Sequence, residues 1–195
     1  MEYEYEPDAS VSGITTIEAE DLPAGLTALP DRWSPVKRLY ASGRIALFDR
    51  PAVMICGARD ASGQGLDLAY RCGRLVAEAG FVVASGYARG VDLAAHRGAL
   101  EAGGGTIAFL PYGLARFRLH RDIADVFDAG RFLAVSELSH WQVFTAHAAL
   151  RRNKLLAALS RAVIVIEPGV TGGTWYSAEK TAELTRPLFF IEVER

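Results

Sequence analysis

The sequence predicts an open, mostly parallel α/β sheet with helices on both faces. Three observations carry that expectation. Six short apolar runs recur along the chain, at 52–57, 81–85, 106–110, 132–137, 162–167 and 187–193. They are apolar throughout rather than alternating, as strands buried on both faces are. Segments with helical spacing separate them, and alternating strand and helix builds a parallel sheet.

Length and composition set the frame. A chain of 195 residues suits one domain, and a 50% apolar content allows a sizeable core. No apolar run approaches the ~20 residues of a membrane span. The opening "MEYEYEPDAS" lacks the basic-then-apolar pattern of a secretory signal, so the cytoplasm is the expected location. Cys56 and Cys72 lie far apart and are expected as reduced, packed thiols. His96, His120, His140 and His147 are scattered, with no cysteine or acidic pair in ligand spacing, so neither a metal nor a cofactor is expected.

Residues 1–21 are expected to form an acidic, flexible leader. They hold seven acids and no base, which leaves 21 basic against 16 acidic residues in 22–195. The net charge of −2 thus divides into an acidic leader and a body at +5. Such a leader is either plainly solvated or competes with a polyanion for the basic body. Residues 22–50, with their prolines and a few apolar anchors, are expected as a lead-in that packs on the core. The sheet domain then occupies 51–195. Between its strands, Leu68, Cys72, Leu75, Val76 and Ala79 recur at helical spacing in 64–79, and Leu155, Leu156 and Leu159 do so in 148–160.

In such sheets ligands sit beyond the carboxyl ends of the strands, against helix N-termini. The turns there hold the candidate site. Gly57 ends the first run and Arg59 follows, its fork matched to phosphate oxygens. Ser85 and Gly86 end the second run, and Arg89 and Gly90 lead into an alanine-rich helix carrying Asp92. Its small residues, among them Ala94, Ala95, Gly98 and Ala99, are expected to bring it close to the sheet, and free amides at its start to attract an anion. The spacing G-x-x-x-G is not the dinucleotide fingerprint. His96 and Arg97 are expected to face solvent or a partner. Gly172, Gly173 and Thr174 open a helix after the fifth run, a second anion cradle. Arg151, Arg152 and Lys154 are placed near a helix start, where cations oppose the dipole and a bound phosphate would compensate them. A further basic cluster holds Arg116, Arg118 and Arg121.

Several of these segments resemble the DNA-processing protein A (DprA or Smf) family. "SGYARGVDLAAHRGALEAGGGTIAFLPYGL" is similar to its S-G-x-A-x-G-[IV]-D-x-x-A-H-x-x-A-L motif and following strand. "RRNKLLAALSRAVIVIE" resembles its R-R-N-R block, "GGTWYSA" its S-G-[ST]-x-x-T-A turn, and "CGAR" stands where it has G-[ST]-R. The match runs in order over about residues 39–193. It implies a Rossmann-like domain that binds single-stranded DNA, forms a homodimer and helps load the recombinase RecA during natural transformation. Residue by residue, it implies contacts at Arg59, Gly86, Gly90, Asp92, Arg151, Arg152, Asn153, Lys154, Gly173 and Thr174. The helical N-terminal and winged-helix C-terminal domains that many members carry are not expected within 1–195.

Two functions follow. One is a single-stranded DNA module, with phosphates on those groups and bases stacked on Phe117, Trp141 or Trp175. The other is a nucleotide sensor or nucleotide phosphoribohydrolase, since "PGVTGGTWYSAE" is loosely similar to the P-G-G-x-G-T-x-x-E segment of cytokinin-activating phosphoribohydrolases. Glu137 and Glu179 would then be the candidate carboxylates. A dimeric scaffold with a vestigial site is a third, plainer reading.

Overall fold

The computed structural model describes residues 13–168 and 173–193. In chain order the main elements are β1 (Thr15–Glu18), α1 (Ala24–Thr27), β2 (Arg38–Gly43), β3 (Ala52–Gly57), α2 (Gly63–Glu78), β4 (Val82–Ser85), α3 (Val91–Glu101), β5 (Thr106–Phe109), α4 (Arg121–Ala124), β6 (Phe132–Ser136), α5 (Ala146–Leu159), β7 (Ser160–Ile166), α6 (Gly173–Glu183) and β8 (Leu188–Ile191). All six expected runs are strands. They form one sheet in the order β1-β2-β6-β5-β4-β3-β7-β8. β3 to β8 run parallel, and β2 joins β6 antiparallel. The expected α/β class is what the chain adopts.

The uniform apolarity of the strands has a direct cause. Side chains alternate across a strand, so a sheet covered on both sides needs apolar residues at every position. Met54 and Cys56 pack into the core beneath α5, whereas Ile55 joins the cluster beneath α2 and α3.

Two expectations at the N-terminal side change. Thr15–Glu18, inside the segment expected as a flexible leader, pairs with β2 as the edge strand of the sheet. Residues 1–12 lie outside the described residues. The lead-in does more than cover the core. It contributes β2, with Leu39 and Ala41 fully buried, and it sends Leu26, Trp33 and Val36 into the main cluster. Six residues with only partial alternation, "RLYASG", gave the sequence reading too short a signal to call a strand.

The helix spacing also needs correcting in detail. α2 buries Gly65, Ala69, Gly73 and Ala77, a stripe of small residues every four positions, while Leu75 is 63% exposed. The stripe exists because α2 and α3 lie pressed together. A Cβ on Gly73 would stand 2.2 Å from Ala95 O, and one on Gly98 would stand 2.0 Å from Tyr70 O. The small residues of α3 therefore serve helix-to-helix approach as well as contact with the sheet. Periodicity counted on large apolar residues overlooks such a face.

Candidate functional site

The chain builds β3 to β6 toward one side of the sheet and then returns to place β7 and β8 on the other. The strand order reverses at β3, and crevices form at such switch points. A cleft of about 510 Å³ lies there. Its walls include Gly57 at the end of β3 with Arg59 and Asp60 after it, Ala88 from the β4–α3 turn, Asp92 from the start of α3, Arg152 and Asn153 from α5, Glu167 after β7, and Gly173, Thr174 and Ser177 from α6.

Arg152 is the central cation. Thr145 caps α5, its Oγ1 accepting from Ala148 N at 3.0 Å, so Arg152 stands in the second turn rather than at the helix start. The helix dipole there is weaker than expected from the sequence, and the guanidinium is exposed to a harsher environment: burial. Arg152 is 7% exposed, Nη1 donates to Phe109 O at 3.1 Å, and Nε has no hydrogen-bond partner. Among the described residues no carboxylate lies within ion-pair distance of it. Burial pushes its pKa down from the usual arginine value, and the nearby charge of Arg59 acts in the same direction, against the favourable charge of Asp92. A cleft with two mutually repelling guanidinium groups, one of them underbonded, favours an anion between them.

The carboxylates at the cleft are occupied. Asp92, itself buried, accepts from Gly86 N at 3.1 Å and Ala88 N at 3.2 Å. Burial, the largest influence, raises its pKa, and the Arg152 charge opposes the rise. Asp60 pairs with Arg89 at 2.6 Å, and Glu167 accepts from Ser62. The positive poles are thus Arg59, Arg152 and the first turn of α6, whose leading amides have no intrahelical acceptor.

Of the residues singled out in the sequence, Gly57, Arg59, Asp92, Arg152, Asn153, Gly173 and Thr174 line this one cleft. Asn153 Nδ2 donates to Gly173 O at 3.2 Å, and Thr174 Oγ1 donates to Gly57 O at 3.4 Å, tying α5, α6 and β3 together. Gly172 lies outside the described residues. Ser85 is beneath the cleft, its hydroxyl donating to Ile55 O at 2.5 Å. Gly86 has a different use from bringing bare backbone to an anion: a Cβ there would stand 1.6 Å from Arg152 Nη1, so its α-carbon makes room for the guanidinium. Gly90, at φ 84, turns the chain into α3 against the Ala58 carbonyl, 2.4 Å from where a Cβ would be. Arg89 is exposed at the outer rim with Asp60.

Two cations of the basic block face elsewhere. Arg151 forks onto Glu137 at 2.7 and 2.9 Å and donates to Ser34 O at 2.7 Å. Lys154 Nζ stands 5.5 Å from the Trp33 ring and 5.7 Å from the Tyr176 ring. Consecutive helical residues diverge by about 100°, so a run such as Arg-Arg-Asn-Lys cannot aim every cation at one ligand. Glu137 and Glu179 are likewise outside the cleft walls, and Glu179 pairs with Lys180 at 2.9 Å. Glu167 is the carboxylate the sequence reading passed over. Its signal was available, since it follows a buried strand just as Glu137 does. Of the aromatic candidates, Phe117 is core at 1% exposure, while Trp141 and Trp175 are exposed. Among the described residues no group of three metal-ligating side chains occurs, and no helix is long and apolar enough to cross a membrane.

A family model described as DNA recombination-mediator protein A matches residues 13–194. The chain belongs to this family. The DNA processing protein DprA of Streptococcus pneumoniae is 32% identical over 155 residues, covering 78% of this chain and 54% of that protein. Protein Smf of Escherichia coli is 31% identical over 160 residues, covering 78% and 41%. The chain spans about half the length of the curated relatives it matches. A structure of DNA processing protein A from Helicobacter pylori, described for its single-stranded DNA binding mode, superposes with a TM-score of 0.82 at 30% identity, over 95% of this chain and 83% of that one. A molybdenum cofactor binding protein from Rippkaea orientalis reaches 0.54 at 24% identity, a likeness of fold alone. The resemblance read from the motifs therefore holds over residues 13–194 of the chain.

His96 corrects one further expectation. It is fully buried in α3, not at the surface. Thr106 Oγ1 donates its one proton to Val83 O at 2.9 Å, so His96 Nδ1 is the donor in the 2.6 Å contact with that hydroxyl. Burial, with the Arg152 charge second, holds the imidazole pKa down at about 3. The folded state thus keeps the ring neutral, while the unfolded chain takes up a proton as pH falls through about 6.5. Stability present above that value is expected to fall by about 1.4 kcal/mol per pH unit below it, until the folded value is reached. Urea unfolding between pH 7 and pH 4.5 checks this. A His96→Gln protein should show a shallower decline, and an identical decline contradicts the assignment.

Proposed function

We propose that the cleft binds single-stranded DNA, holding one backbone phosphodiester between Arg59, Arg152 and the start of α6. The observation that carries this reading is Arg152: a buried guanidinium in the wall of the cleft with an unpartnered Nε. Such a group is costly unless an anion completes it. The H. pylori relative, whose DNA complex its description names, supports the choice of ligand. Trp175, at the first turn of α6 and 47% exposed, is the aromatic proposed for a stacked base.

Fluorescence anisotropy with labelled oligothymidylate tests the proposal. With one phosphodiester neutralised in the cleft, log K should fall with log salt at a slope of about −0.7, taking ~0.7 per neutralised phosphate. A slope near zero contradicts an electrostatic cleft. The alternative of nucleotide hydrolysis has less support. Glu137 and Glu179 do not line the cleft, and the Glu167 carboxylate is engaged by Ser62. Release of free adenine from AMP would revive it.

The partner side of the reading concerns β8. It is an edge strand carrying Phe189 at 55% and Phe190 at 44% exposure, with Trp175 packed 5.6 Å from the Phe190 ring. A homodimer joined over this apolar edge accounts for it. In analytical ultracentrifugation the wild type should sediment as a dimer and Phe190→Asp as a monomer. A monomeric wild type contradicts the assignment. A cytoplasmic role in natural transformation and in loading a RecA-type recombinase is proposed on the family alone. Faster RecA filament assembly on DNA coated with the protein is the expected result, and unchanged assembly contradicts it.

A further inference from the structure

In open α/β sheets the first turn delivers a helix N-terminus to the ligand's phosphate. Here that helix end already holds an anion supplied by the chain itself. Glu167 Oε2 accepts from Ser62 N at 2.8 Å and from Ser62 Oγ at 3.0 Å. Ser62 caps α2, its Oγ accepting from Gly65 N at 3.0 Å. A Cβ on Gly65 would stand 2.0 Å from Glu167 Oε2, so this glycine leaves the space that the carboxylate fills. Glu167 has φ 47, a left-handed conformation that side chains other than glycine seldom adopt, and from it the side chain reaches back over the α2 terminus. The same carboxylate forms part of the cleft wall. Independently, the same cleft is marked as a ligand site by Arg152, more than nine-tenths buried and with Nε unpartnered.

We infer that Glu167 is a specificity-determining residue. It acts as a built-in anion at the α2 end of the cleft, leaving a single phosphate position at the Arg59–Arg152–Thr174 pole. A phosphodiester of a polynucleotide fits one such position. A nucleoside di- or triphosphate brings a second phosphate that must share the α2 end with a carboxylate, and like charges there select against it. The inference rests on the reading of the cleft as a phosphodiester site and extends it to the phosphate compounds that site refuses.

Two variants of the full chain separate charge from occupancy. Glu167→Gly empties the α2 end and suits the backbone, because glycine adopts positive φ freely. Glu167→Gln keeps the volume and removes the charge. Calorimetric titration with inorganic pyrophosphate and with ADP should show weak binding by the wild type. Both ligands should bind at least tenfold more tightly to Glu167→Gly, with a smaller gain for Glu167→Gln, and the gain in oligothymidylate affinity should be clearly smaller than the gain for pyrophosphate. Circular dichroism establishes that each variant is folded. Unchanged or weaker pyrophosphate binding in the folded variants overturns the inference, and if only Glu167→Gln folds, its result decides. A wild type that fails to bind oligothymidylate, beside a Glu167→Gly protein that gains pyrophosphate, removes the DNA reading and leaves the role of Glu167 standing.

Discussion

Replacing Arg152 with methionine is expected to lower the affinity for oligothymidylate by at least tenfold. The guanidinium is buried in the cleft wall with one described hydrogen bond, to Phe109 O, and its Nε has no acceptor among the described residues, so a ligand oxygen at the guanidinium would meet an unsatisfied donor set. A charge-assisted hydrogen bond contributes about 1.5–3 kcal/mol, which corresponds to a factor of roughly ten to a hundred in affinity. Methionine keeps most of the volume of the side chain, so the change reports the lost donors rather than a collapsed cleft. Arg151→Met is the control. Its guanidinium is turned to Glu137, Ser34 and Pro35 rather than into the cleft, so its charge acts there only through screened distance and the expected change in affinity is less than about threefold. Anisotropy titrations at one fixed salt concentration compare the two. Equal losses from both variants would assign the effect to overall charge.

The second large effect falls on stability. Asp92→Ala is expected to destabilise the fold by about 3 kcal/mol, because two backbone amides lose a charged acceptor and a buried cation loses its nearest compensation. Those amides are Gly86 N and Ala88 N, and the cation is Arg152, which a Cβ on Gly86 would strike. Asp92→Asn retains an acceptor of the same shape and should lose clearly less. The midpoint of urea unfolding reads both. A loss for Asp92→Ala within about 0.5 kcal/mol, the range of an ordinary surface change, contradicts a structural role for this carboxylate.

The sheet was legible because its strands are apolar at every position, a pattern that doubly covered strands require. The antiparallel edge was not legible. β2 is six residues long, begins at Arg38 and ends in Ser42 and Gly43, which leaves only a short apolar core, and β1 is four residues long within an acidic segment. The site was readable at the level of turns. Arg59, Arg152, Asn153, Gly173 and Thr174 converge because strand ends and helix starts converge. Side-chain direction within a helix was not readable from adjacency, and this is why Arg151 and Lys154 leave the cleft that Arg152 enters. Gly86 and Asp92 were rightly placed at the turn, yet their partners are each other and Arg152. A glycine in a motif records that something approaches closely, and only coordinates tell whether that neighbour is a ligand or an arginine of the same chain.

A crystal structure of the protein with bound oligothymidylate tests the central claim most directly. One phosphodiester should lie in the switch-point cleft, with oxygens at about 2.7–3.1 Å from the Arg152 guanidinium and from an amide at the start of α6. A strand bound over Arg151 and Lys154, with the cleft between Arg59 and Thr174 empty, would contradict it.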